Sequence, residues 1–315
     1  MRTVPRIARL AHPAEIEALA SFVKPRRRLV ALTGAGVSTE SGLPDYRSPE
    51  IGAYARNHKP ITHSEFSSAV DDAHRKRFWL RSFLGHHKHR RAEPNVSHSV
   101  LTKLERSGRL AGVVTQNVDG LHAASGAQTV VELHGSLNTC QCLSCNCVVS
   151  RDEFQSAIAR LNPWLEPRDF LVSPSDASPD LNAEIRPDGD VDVVHTPHFK
   201  AALQRFLVPT CGDVFACAKR ALVKPGFVFF GGTVDREVAR AAEELVSRAD
   251  ALLVLGTTAQ TLSCLRLIRR ADELEIPIAI VNAGPTRADD LPNVKLRLHT
   301  RLGFTLAAAT EGLLS

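Results

Sequence analysis

Thr33-Gly34-Ala35-Gly36-Val37-Ser38 places two glycines directly after an apolar run. Such a turn lets a backbone approach a pyrophosphate at the start of a helix, and it equally suits a glycine-rich turn that holds nothing. Thr39 stands where the ordinary dinucleotide fingerprint has its third glycine, so a hydride-transfer dehydrogenase is not the natural reading. The polar loop that follows, Thr39 to Ser48, contains Pro44, Asp45, Tyr46 and Arg47. An arginine there offers a planar fork to phosphate, and an aspartate can accept from a ribose hydroxyl or an amide. Three later apolar runs also end in ligand-type groups: Gln116-Asn117-Val118-Asp119, Gly256-Thr257-Thr258 and Asn282-Ala283-Gly284. Four such ends together argue for a bound nucleotide, because open α/β sheets bind ligands at the carboxyl ends of their strands.

His134 follows the apolar run Val130–Leu133 and precedes Gly135. A lone histidine is more often structural. At the same sheet end as the other loops, with a glycine leaving room beside it, this one is a candidate general base, since imidazole titrates near neutrality. Cys142 and Cys145 have the two-residue spacing of a zinc knuckle, and Cys211 and Cys217 are the downstream pair available to complete four thiolates. Cys140 and Cys147 could replace one of them, whereas Cys264 sits on an apolar helix and reads as a core residue. With no apolar signal-peptide core and an odd number of cysteines, seven, the thiols read as metal ligands or free groups rather than a disulfide framework.

The elements that must carry these residues alternate in a βαβ rhythm. Aliphatic runs at 28–33, 112–115, 129–133, 227–230, 251–255 and 277–281 predict a Rossmann-like parallel sheet covered by helices. Helices are predicted at 14–22 and 235–248, the latter with Asp235 and Glu237 at its start and Arg248 at its end, as the helix dipole favours. The rhythm breaks over 138–222, which opens with the cysteine cluster and continues through a stretch rich in Pro, Asp and Ser at 163–192. This predicts a small loop-rich, zinc-binding module inserted into a larger domain made of 1–137 and 223–315.

A length of 315 residues accommodates that arrangement, and 43% hydrophobic residues suffice for a real core. No apolar run approaches the roughly 20 residues of a membrane span, so no membrane association is expected. Lys plus Arg exceed Asp plus Glu by only 39 to 34, in short clusters such as Arg26–Arg28 and Lys88–Arg91, so nucleic-acid binding is not expected either. The first ten residues hold three arginines and no acid, suiting a short mitochondrial address or a basic terminus; the expected location is the mitochondrial matrix, with the cytoplasm as alternative.

The stretches GAGVSTESGLPDYRS (34–48), TQNVDGLH (115–122), ELHG (132–135), CLSC (142–145), PDGDVD (187–192), VPTC (208–211), KPGFVFFG (224–231) and VNAGPTRADDL (281–291) resemble the sirtuins, in particular the class II group that includes the mitochondrial sirtuin-4 type. The resemblance runs in consistent order from about residue 12 to 305. It implies an enzyme that removes acyl groups from lysine and consumes NAD. Gly34, Ala35, Gly36, Ser38, Thr39, Pro44, Asp45, Tyr46, Arg47 and Tyr54 would lie along the cofactor. Gln116, Asn117, Val118 and Asp119 would surround its nicotinamide end, and Gly256, Thr257, Thr258, Asn282, Ala283, Gly284 and Leu302 its adenosine end. His134 would take a ribose hydroxyl proton, with Asn117 beside it. Acyl-lysine proteins or peptides would add as a strand along Val228, Phe229, Phe230 and Gly231. Zinc on Cys142, Cys145, Cys211 and Cys217 would be structural, because a closed four-thiolate site has no open position for water.

The chain departs from the family pattern in its C-x5-C pair, in Gly226 and Gly232 where acids are expected, and in Ala259 where a leucine is usual. Tyr54-Ala55-Arg56 lacks the tyrosine-x-x-arginine spacing of desuccinylating sirtuins, so succinyl-lysine is expected to be a poor substrate. Protein mono-ADP-ribosyl transfer and NAD or ADP-ribose sensing without catalysis are the competing readings.

Overall fold

Five consecutive buried residues, Leu29 to Thr33, form the strand from which the larger sheet grows in both directions. The computed structural model describes residues 9–49, 52–53, 60–68, 72–165, 197–215, 217 and 220–313. Its strands, in chain order, are β1 (Leu29–Thr33), β2 (Leu110–Thr115), β3 (Val130–Glu132), β4 (Gly135–Cys142), β5 (Val148–Ser150), β6 (Val223–Phe227), β7 (Ala251–Leu255), β8 (Ile278–Val281) and β9 (Val294–Leu298). Six of them pair in parallel in the order β3-β2-β1-β7-β8-β9.

Side chains alternate across this sheet, so each strand feeds two cores. Leu29 and Ala31 join Leu19, Val23, Leu101, Leu104 and Leu306 on one face. Val30 and Leu32 join Ala242, Val246, Leu265 and Ile268 on the other. Each fully buried aliphatic side chain contributes roughly 1.5–3 kcal/mol, so the two layers dominate the stability of this unit. Helix Pro13–Val23 starts with a capping box made by His12 and Glu15. Helix Arg236–Ser247 starts at Asp235, whose Oδ1 accepts from the backbone N–H of Glu237 and Val238 at 2.9 and 3.2 Å. Both helices were legible from their end charges.

Register decides where the ligand-type residues go. Thr33 pairs with Thr115 and with Leu255, Thr115 with Glu132, and Leu255 with Val281. Five strands therefore end level, and residues 34–38, 116–119, 133–134, 256–258 and 282–284 all leave the sheet along one edge. β1 is also where the winding reverses, with β2 on one side and β7 on the other. A crevice at the carboxyl end of such a point is where doubly wound sheets hold nucleotides.

The chain separates into two compact units, the first holding the segments up to His58, Ala92–His134 and Val234 onward, the second holding Lys59–Arg91 and Gly135–Thr233. The second is wider than the expected module 138–222, for two physical reasons. β6 pairs antiparallel with β4, in a three-stranded sheet of order β5-β4-β6, so this part of the chain does not belong to the parallel sheet. The strand expected at 227–230 accordingly lies at 223–227, and only Phe227 is common to both. Helix Ala73–His89, which the periodicity did not single out, contributes Phe78 and Trp79 to an aromatic cluster with Phe66, Phe154, Phe227 and Phe229. From residue 166 the loop-rich stretch, including PDGDVD at 187–192, lies outside the described residues, as do residues 1–8 and Tyr54 to Arg56. Among the described residues no helix is long and apolar enough to cross a membrane.

Candidate active site and metal centre

The first and fourth strand ends meet at the winding reversal. The backbone N–H of Gly34 donates to the carbonyl of Leu255 at 3.1 Å and that of Gly36 to the carbonyl of Gly256 at 2.8 Å. A Cβ on Gly36 would stand 2.8 Å from that carbonyl oxygen, so only glycine permits the approach. Ser38 is buried beyond it. Its hydroxyl donates to Asp119 Oδ2 at 2.6 Å and accepts from Asn117 Nδ2 at 3.0 Å, joining the first and second strand ends. Asp119 Oδ1 accepts the backbone N–H of Leu121 at 2.9 Å, which fixes the carboxylate.

Asp45 closes its own turn: Oδ1 accepts from the backbone N–H of Arg47 at 2.9 Å and of Ser48 at 2.7 Å, and Oδ2 from the Ser48 hydroxyl. It is 9% exposed, while Arg47 is exposed and Pro44 is buried. Asn282 Nδ2 donates to the Gly284 carbonyl at 2.7 Å, and the Thr258 carbonyl accepts from Arg287 N–H at 3.0 Å. Leu302 is buried as the first residue of helix Leu302–Thr310 and packs in the core.

His134 follows β3 with Leu133 between them. Its Nδ1 lies 3.1 Å from the carbonyl of Gln116 and its Nε2 2.8 Å from Ser263 Oγ. A carbonyl only accepts, so Nδ1 carries the hydrogen and Nε2 presents the lone pair. Burial lowers the pKa of the ring, and the Gln116 carbonyl partly opposes that by favouring the charged form. The outcome is a neutral imidazole at neutral pH with its basic nitrogen defined. Sequence reading named His134 but missed Ser263, which stands 129 residues away along the chain and belongs to no motif.

In the second unit, the Sγ atoms of Cys142, Cys145 and Cys211 lie within 4.8 Å of one another, and those of Cys145 and Cys211 at 3.4 Å. Cys142 Sγ accepts from the backbone N–H of Ser144 and Cys145 at 3.3 and 3.4 Å, which fixes its position. Burial, followed by the neighbouring thiols of Cys142, Cys217 and Cys145, pushes the Cys211 thiol up, so Cys217 also bears on this cluster. Three thiols converging at this distance are the donor type of a closed thiolate site, and the donor set fits structural zinc. Cys140 is fully buried and does not belong to this group of three, its thiol pushed up to about 12 by burial. Cys264 is buried in the core, as expected from its helix.

The sequence model of the Sir2 family matches residues 34–263. This chain belongs to the Sir2 family. It is 42% identical over 289 residues to the Drosophila melanogaster protein named NAD-dependent protein deacylase Sirt4, covering 90% of this chain and 83% of that one. It is 38% identical to the Homo sapiens protein named NAD-dependent protein lipoamidase sirtuin-4, mitochondrial, covering 93% and 85%. A solved Sir2 structure in complex with an inhibitor, 2'-O-acetyl-ADP-ribose and deacetylated p53 peptide superposes with a TM-score of 0.64 at 25% identity, covering 95% of this chain and 99% of that one.

In this sirtuin the segment expected to receive a peptide, Val228–Gly231, follows β6 rather than forming a strand itself. Phe229 is buried, with its ring stacked on Phe66 at 4.7 Å between centroids. Phe230 is 39% exposed, and its carbonyl already accepts from the backbone N–H of His63 at 2.9 Å. Gly231 has φ 76° and open space where a side chain would project.

Proposed function

We propose that this sirtuin is an NAD-dependent protein-lysine deacylase that releases nicotinamide and 2'-O-acyl-ADP-ribose. The observation that carries the proposal is His134, a part-buried neutral imidazole whose Nδ1 faces the Gln116 carbonyl, at the same sheet edge as Gly34, Ser38, Asn117, Asp119 and Gly256. The relatives' names support the same reading.

NAD, when bound, supplies the ribose carbon that nicotinamide leaves and that the acyl oxygen attacks. The chain's own groups then have definable tasks. His134 Nε2 takes a proton from a ribose hydroxyl, and the Gln116 carbonyl stabilises the imidazolium that forms by accepting from Nδ1–H. The Ser38–Asn117–Asp119 network offers hydroxyl, amide and carboxylate groups in fixed positions, which limits reorganisation when ribose hydroxyls enter. Cys142, Cys145 and Cys211, with Cys217 as the fourth thiolate, would hold a zinc whose role would be to hold the second unit together, outside the chemistry. Proteins or peptides carrying acyl-lysine are the partners, received at Val228–Gly231.

The test is nicotinamide release by the purified, zinc-loaded protein with acetyl-, lipoyl-, methylglutaryl- and succinyl-lysine peptides, beside His134→Tyr. Peptide-dependent release that the substitution reduces by at least about a hundredfold is expected, with the succinyl peptide slowest. No release with any peptide, in a sample that binds NAD, would replace deacylation by sensing, and ADP-ribose left on a protein would replace it by mono-ADP-ribosyl transfer.

A further inference from the structure

The start of helix Leu262–Glu273 is built against its own stability. Thr261 occupies the N-cap with extended backbone, where a threonine ordinarily accepts an N–H of the first turn, yet it makes no side-chain cap. Its hydroxyl donates instead to Gln116 Oε1 at 3.0 Å. Two residues on, Ser263 points its hydroxyl at His134 Nε2 at 2.8 Å. Gln116 closes the circuit, since its main-chain carbonyl accepts from His134 Nδ1. Its side-chain Nε2 donates to Thr257 Oγ1 at 2.9 Å and to the Thr33 carbonyl at 3.3 Å. Both atoms of the Gln116 amide thus have protein partners, and the histidine is held at Nε2 by Ser263 of the helix start and at Nδ1 by the Gln116 carbonyl.

We infer that Ser263 is a positioning residue for the base: with Thr261 and Gln116 it holds the His134 ring in the Nδ1–H tautomer and keeps Nε2 directed until a substrate hydroxyl takes the serine's place. The logic of the donors is forced. Nδ1–H is committed to a carbonyl, so Nε2 must accept, and the Ser263 Oγ–H is the donor that faces it. The serine oxygen lies at the distance where a reacting hydroxyl would have to sit, so it occupies the position of the proton donor in the resting protein. A hydroxyl that donates to Nε2 favours the neutral ring, as does the positive end of the helix beside it. Burial lowers the His134 pKa, and the Gln116 carbonyl opposes it.

This inference rests on His134 being the base, and its test separates the two. The full-length, zinc-loaded protein labelled with ¹⁵N-histidine is titrated by NMR as wild type, Ser263→Ala and Ser263→Thr, with His134→Ala to assign the ring. Wild type is expected to show a single Nδ1–H tautomer. Ser263→Ala is expected to show tautomer mixing and a ring pKa higher by about half a unit to one unit. Ser263→Thr is expected to restore both. In nicotinamide release, Ser263→Ala is expected to lower kcat about two- to tenfold, shift the acid limb of the pH profile upward and leave KM for NAD unchanged. Unchanged tautomer and titration in Ser263→Ala would overturn the inference. A shifted ring in a protein that releases no nicotinamide with any acyl peptide would uphold the positioning role and overturn the deacylase reading.

Discussion

Ser38 spends both halves of its hydroxyl inside the protein, giving its proton to Asp119 and accepting from Asn117. At 2% exposure it has no water to fall back on. Ser38→Ala leaves a buried amide N–H and a carboxylate oxygen each short of a partner, at a cost of about 1–3 kcal/mol. Urea denaturation is expected to show that loss, and calorimetric titration a weakened NAD affinity. An unchanged denaturation midpoint would mean that the two partners find each other without the serine. Ser38, Asn117 and Asp119 were readable because they stand in short local motifs. Ser263 and Thr261 were not, because hydrogen bonds to His134 and Gln116 bring together residues that share no local pattern. Asp45 shows the opposite difficulty: its type suits ribose, while its carboxylate is engaged with Arg47 and Ser48 in its own loop.

Pairing explains one departure from the family pattern at the level of elements. Gly226 lies in β6 opposite β4, and a Cβ there would run into Thr139 Oγ1 and approach the carbonyls of Ser136 and Thr139 at 3.1 Å. The side chain of Thr139 fills the space that a side chain at 226 would need. Gly226→Asp is expected to destabilise the protein by about 1–3 kcal/mol through overpacking, and the double variant with Thr139→Ala to recover a substantial part. Additive losses in thermal denaturation would contradict this coupling. The same strand shows why part of the fold was hidden. Pro225 and Gly226 are poor strand formers, so the apolar run Phe227–Phe230 drew the strand assignment downstream. Phe227 and Phe229 in that run are buried against Phe66 and Phe78 in the second unit. β1, β7 and β8 were legible because burial on both faces leaves continuous aliphatic runs.

For the molecule as a whole, two buried histidines contribute to the response to acid. His98 and His122 are 0% and 2% exposed, with ring centroids 4.8 Å apart. Burial first, and the neighbouring ring second, lower the pKa of His98 to about 3; burial also lowers that of His122, against the opposing charge of Asp119. Both are neutral in the folded protein. Their contribution is fully present above the unfolded value near 6.5 and is lost as pH falls below it, because the unfolded chain takes up protons first. Each histidine removes up to about 1.4 kcal/mol per pH unit in that range. Urea midpoints are expected to fall steadily from pH 6.5 to 5, with a shallower fall in His98→Gln. Equal slopes in the two proteins would show that His98 is not among the groups responsible.

The order of the parallel sheet also governs how the chain emerges during synthesis. β1 needs two neighbours to cover its backbone, and they arrive far apart: β2 starts at Leu110, but β7 only at Ala251. Between those events the ribosome makes the longer segment of the second unit, Gly135–Thr233, while one side of the Leu29–Thr33 ribbon has its N–H and C=O groups unpaired and its aliphatic side chains half covered. That ribbon is the most exposed target for a foreign strand in the nascent polypeptide. A chaperone holding residues 29–33 until codon 255 has been read would protect the step on which every later contact depends.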